Sequence, residues 1–92
     1  RLPFSDGTFD GIVTEPPYHP TDQPAVVDST GELVRVVRPG GRLTLFVADF
    51  MLPDLEPAWA TLGLRELARY PVRRHGIHSV CVVLSRREGA LR

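Results

Sequence analysis

The sequence predicts an α/β fold, a mainly parallel sheet with helices between its strands, closed by an antiparallel hairpin. Three observations predict it. Runs of strand character alternate with runs of helical period, in the order strand–helix–strand–helix–strand–strand. The segment Arg42–Val47 is apolar almost throughout, the pattern of a parallel strand covered on both faces. Proline and glycine fall between these runs, where turns are needed. Ninety-two residues with 42% apolar content make one globular unit and not two.

The first strand is Phe9–Thr14, whose apolar residues Phe9, Ile12 and Val13 read as buried. Thr21 or Asp22 offers an N-cap for the first helix, and Pro24 is tolerated in its first turn. Val26, Val27, Thr30, Leu33, Val34 and Val37 then form a helical stripe, with Glu32, Arg35 and Arg38 opposite. Gly31 weakens the middle, so a start near Ser29 or Thr30 is the alternative. Arg38-Pro39-Gly40-Gly41 ends the helix, the glycine pair serving as a C-cap turn. After the second strand, Arg42–Val47, a helix over Asp54–Leu62 carries Leu55, Trp59 and Leu62 on one side. Gly63 stops it, and Pro57 is assigned to its first turn. Leu64–Arg73 and Ser79–Arg86 are strands joined by a turn at His75-Gly76, and Pro71 makes the former an edge strand. Leu64, Leu67 and Ala68 also fit a helical period, which leaves that segment open to either reading.

Eleven arginines balance eleven acidic residues, and there is no lysine. The distribution is lopsided: four Arg against nine acids in 1–63, seven Arg against two acids in 64–92. A basic carboxyl-terminal segment suits either a phosphate backbone or plain solvation on an edge hairpin. Cys81, the lone cysteine, reads as a buried thiol; it excludes an internal disulfide and fits a reducing cytoplasm. No apolar run approaches the length of a membrane span, and the chain starts at Arg1 without a signal-like segment. His75 and His78 lack a third ligand at metal spacing, so no metal site is expected.

Chemistry is expected where the first strand ends, at Glu15-Pro16-Pro17-Tyr18. Ligands of open α/β sheets bind at the carboxyl ends of strands. The two prolines fix their own φ and hold the preceding residues extended. That stiff corner directs a carboxylate, backbone carbonyls and an aromatic face into a cleft. It suits a planar ring with an exocyclic amine, the oxygens accepting from the NH2 while Tyr18 stacks. A Pro-Pro turn with a solvated glutamate is the plainer alternative. His19 reads as a base or as loop, Asp6 and Asp10 as turn-forming, and Asp49 as a residue on the ligand side of the sheet.

Leu2-Pro3-Phe4-Ser5-Asp6-Gly7-Thr8-Phe9-Asp10, Thr14-Glu15-Pro16-Pro17-Tyr18 and Leu33 through Leu43 (LVRVVRPGGRL) together resemble the second half of a class I S-adenosylmethionine-dependent methyltransferase. In that family an Asp/Asn/Ser-Pro-Pro-aromatic motif marks enzymes that methylate amino groups of nucleobases or glutamine; here Glu15 stands at its first position. The resemblance implies the carboxyl-terminal half of a Rossmann-like sheet ending in an antiparallel hairpin, over residues 1–92. It implies catalytic roles for Glu15, Pro16 and Tyr18. Glu15 and Pro16 would also face the cofactor, S-adenosyl-L-methionine, and Pro17, Tyr18 and His19 the substrate. The arginine-rich hairpin and the short link after Tyr18 look most like the tRNA guanine-N2 methyltransferases. Docking of tRNA is then expected from a separate amino-terminal domain, with no membrane partner. The family's cofactor pocket needs a Gly-rich turn after a strand, and none occurs here. The chain is therefore expected to be a fragment with the catalytic half of the domain. A small-molecule methyltransferase and an inactive scaffold fragment are the alternatives.

Overall fold

The computed structural model of the protein describes residues 3–15, 23–74 and 76–87. Strand β1 (Phe9–Thr14) leads to helix α1 (Gln23–Val36), strand β2 (Val37–Ala48), a 3-10 turn (Asp49–Met51), helix α2 (Leu52–Thr61) and the hairpin β3 (Leu64–Arg74) and β4 (Ile77–Arg86). The sheet order is β1-β2-β4-β3. β1 pairs parallel to β2, and the other two pairings are antiparallel. The expected α/β fold with its closing hairpin is present, and Pro71 lies on the edge strand β3.

Side-chain alternation places the core on one face. Leu43, Leu45 and Val47 of β2 and Val80, Val82 and Leu84 of β4 are buried against Val34 of α1 and Leu55 and Trp59 of α2. Both helices cover that face, and they meet at Gly31, where an added Cβ would stand 4.0 Å from the Leu62 side chain. The helix passes through Gly31 from Gln23 and does not start at Ser29 or Thr30. The opposite face carries Thr44, Phe46, Cys81 and Val83, each half-buried, with Val13 and Tyr70 exposed at 70% and 57%. Among the described residues β2 is thus covered on one face and not on both. β1 is likewise no buried strand, because it forms the sheet's outer edge. Cys81, on the uncovered face, is half-buried for the same reason.

Two local expectations give way. The glycine pair does not cap α1, which ends at Val36, before Arg38 is forced extended by Pro39. Residues 38–41 instead form a bulge: Phe9 pairs with Val37 and Gly11 with Arg42, so four residues of β2 oppose Asp10 alone. Gly40 has φ 81, and a Cβ on Gly41 would stand 2.6 Å from the Asp10 carbonyl oxygen. Both positions therefore need glycine. Pro57 lies inside α2 and not in its first turn; Pro53 takes that place, and the 3-10 turn starts the helical path earlier. The carbonyl that Pro57 leaves without an amide partner belongs to Pro53, an exposed residue.

Candidate functional site

The parallel pair β1 and β2 brings two acidic residues to one end of the sheet. Thr14 is registered with Leu45, so Glu15 emerges beside the carboxyl end of β2, where Asp49 follows Ala48. Both are exposed. The antiparallel partners add the start of β4 and the end of β3 at the same end, through the register Ala48–Ser79–Val72. A cleft of about 310 Å³ opens there, lined by Asp49, Pro71, Val72, Arg73, His78, Ser79 and Val80. Arg73 Nη2 lies 3.4 Å from His78 Nε2, and the Ser79 hydroxyl donates to the Ile77 carbonyl at 3.2 Å.

Glu15 and Asp49 thus reach the strand ends where the sequence puts them. Pro16, Pro17, Tyr18, His19 and His75 lie outside the described residues. Asp6 and Asp10 are not simple turn residues: they pair with Arg35 at 2.8 Å and Arg38 at 2.5 Å, and Asp10 pairs near the other end of the sheet. Among the described residues no cluster of three or more metal-ligating side chains forms. No described helix is long and apolar enough to cross a membrane. The Arg73–His78 pair is the feature that sequence reading passed over. Its signal was the hairpin register, which sets residue 73 opposite residue 78.

Arginine chemistry separates into two kinds. Arg69 is gripped by Glu66 at 2.6 Å and Glu56 at 2.8 Å, which raises its pKa, with Glu66 the larger cause. Glu32 and then Asp6 raise that of Arg35 in the same way. An arginine is charged at any working pH in either case, so these shifts add no pH dependence. Arg86 Nη1 donates to the carbonyls of Val34 at 3.0 Å, Arg35 at 3.4 Å and Val37. These guanidinium groups hold the fold. Arg65 and Arg73, by contrast, are exposed on β3.

The described residues meet only part of what S-adenosylmethionine requires. Neither strand-to-helix junction contains a glycine, and Gly40-Gly41 are absorbed by the bulge beside Asp10. No backbone cradle of the kind that holds a nucleotide-like ligand is present among them. What is present is a carboxylate, that of Glu15, exposed at the end of a parallel strand.

No protein-family profile matches the chain. The demethylmenaquinone methyltransferase of Beutenbergia cavernae is 40% identical over 63 residues, 68% of this chain and 25% of that protein. A Thermus thermophilus protein assigned as a DNA modification methylase, crystallised with S-adenosyl-L-methionine, superposes with a TM-score of 0.66 at 22% identity. That match covers 98% of this chain and 50% of the other. The T. thermophilus 16S rRNA N2 G1207 methyltransferase, bound to AdoMet and guanosine, gives 0.61 at 26% identity, over 96% of this chain and 23% of that one. The [4+2]-cyclase SpnF gives 0.69 at 15% identity, over 97% and 53%. The chain has the α/β fold of the class I methyltransferases. It spans about a quarter of the curated relative and half of the first solved structure. The cyclase shows that this fold also serves other chemistry, so function has to be argued from the site.

Proposed function

We propose that the chain is the acceptor-binding half of an S-adenosylmethionine-dependent methyltransferase that modifies an exocyclic amino group of a nucleobase in RNA, with N2 of a tRNA guanine as the target. The observation that carries this reading is the position of Glu15, exposed at the carboxyl end of β1 and followed at once by Pro16-Pro17-Tyr18. An exocyclic amine is a weak nucleophile because its lone pair is conjugated into the ring. Acceptors that take both N–H groups turn the lone pair out of that conjugation. Glu15 and the Pro16 carbonyl are those acceptors, Tyr18 and Pro17 bound the base, and His19 lies beside it. Orientation of this kind supplies much of the rate in a displacement. S-adenosylmethionine supplies the electrophilic methyl when bound, and the cradle for it comes from outside these residues, as does the domain that docks tRNA. The proposed compartment is the cytoplasm.

The similarity to a demethylmenaquinone methyltransferase favours a second reading, a small-molecule methyltransferase. One experiment separates the two. The complete polypeptide carrying this chain is incubated with isotopically labelled S-adenosylmethionine and either unmodified tRNA or demethylmenaquinone. Label in N2-methylguanosine, read by mass spectrometry of the digested RNA, supports the RNA reading. Label in the quinone alone replaces it with the second.

A further inference from the structure

We propose that the cleft between β3 and β4 is a subsite for one ribonucleotide flanking the target base, with Arg73 and His78 on its phosphate and Asp49 on its ribose 2′-hydroxyl. This inference rests on the RNA reading above and adds residues of the hairpin, which that reading does not use. Arg35, Arg38 and Arg69 are all paired with carboxylates, and Arg86 with carbonyls. Among the described residues Arg73 has a different neighbour, the imidazole Nε2 of His78 at 3.4 Å. A guanidinium only donates, so at 3.4 Å the imidazole is at best a weak partner for it. An arriving phosphate oxygen is a far better acceptor, and a guanidinium engages two such oxygens at once.

Asp49 narrows the class of ligand. A carboxylate on the same cleft repels a bare anion and accepts from hydroxyl or N–H groups. The occupant therefore carries an anionic group and a donor, joined by a body that fits the apolar Pro71, Val72 and Val80 walls. A ribonucleotide has all three, and the 2′-hydroxyl is the donor that DNA lacks. The volume of about 310 Å³ suits one nucleotide. Position agrees as well. The cleft shares the sheet end with Glu15, and three strand spacings separate β1 from β3, roughly 14–15 Å. That distance places it beside the target base and not on it.

The test uses the complete polypeptide carrying this chain and fluorescence anisotropy of a labelled single-stranded RNA and the DNA of the same sequence. Arg73→Ala should weaken RNA binding roughly tenfold and lower the salt slope by about one. Arg65→Ala removes the same charge at the far end of β3 and should change affinity less than about twofold. Asp49→Asn should not weaken DNA binding, since it removes a charge that repels phosphate, and should reduce the preference for RNA. Circular dichroism verifies that each variant is folded. No RNA binding by the parent chain, equal losses from Arg73→Ala and Arg65→Ala, or equal affinity for RNA and DNA overturns the assignment. Methyl transfer is not part of the readout. An RNA-binding cleft in a protein that methylates no RNA would sink the enzymatic proposal and leave this one standing.

Discussion

Arg86 closes the end of α1 from across the sheet. The last carbonyls of a helix have no partner within it, and here those of Val34 and Arg35 accept from Arg86, while Gly7 N–H also donates to Arg35 at 2.9 Å. A cation at a helix carboxyl end also complements the helix dipole. A long-range side chain therefore does what a local glycine cap was expected to do. Arg86→Ala should cost about 2–3 kcal/mol, because part-buried carbonyls lose a charged donor. Urea unfolding measures it, and a loss well under 1 kcal/mol would show that water replaces the guanidinium. Trp59 presents the opposite case: its indole N–H is buried without a partner among the described residues. Trp59→Phe should then be tolerated far better than Leu55→Ala, for which roughly 2–5 kcal/mol is expected from the cavity. Equal losses in thermal melts would mean that the indole N–H does find a partner.

The bulge at residues 38–41 shows how a motif can be legible while its geometry is not. Pro39 and the glycines announce a break in the helix, but sequence alone does not say whether they close α1 or enter β2. Pairing decides it, since Val37 is already registered against Phe9. Gly41→Ala should destabilise by about 1–3 kcal/mol, as a Cβ there meets backbone and cannot be accommodated by a side-chain rotation. A neutral effect on the unfolding midpoint would show that the bulge relaxes. β1 and β4 were legible because they carry apolar patterns bounded by turn residues, whereas β3 also fitted a helical period; β1 spans the same six residues in sequence and structure. Pro57 misled for a physical reason: a proline inside a helix is costly, yet the residue whose carbonyl loses the bond, Pro53, is exposed.

At the scale of the molecule, the sheet is finished on one side only. Val13, Phe46, Tyr70 and Val83 share the face that neither helix covers, and β1 is an unpaired edge among the described residues. The apolar run of β2 suggested two covered faces, and among the described residues only one is covered. Such an edge is a template for another strand. The isolated chain should self-associate, with sedimentation velocity showing species larger than a monomer; a single cooperative monomer would contradict this. It should also bind S-adenosylmethionine very weakly, since no glycine cradle lies among the described residues, and a micromolar dissociation constant by calorimetry would refute that. Of the candidate site, the strand end and Glu15 were legible, because a polar corner after an apolar strand is a local signal. The Arg73–His78 cleft was not, because it arises from the register of two strands and a turn.

The central claim is that Glu15 holds the target amine, and single-turnover methyl transfer to unmodified tRNA tests it most directly. Glu15→Gln in the complete polypeptide replaces a charged acceptor with a weaker neutral one that also presents donors. A rate loss on the order of a hundredfold is predicted for it, with Glu15→Asp near the parent rate. Near-parent rates for Glu15→Gln would contradict the account and take the carboxylate out of the site.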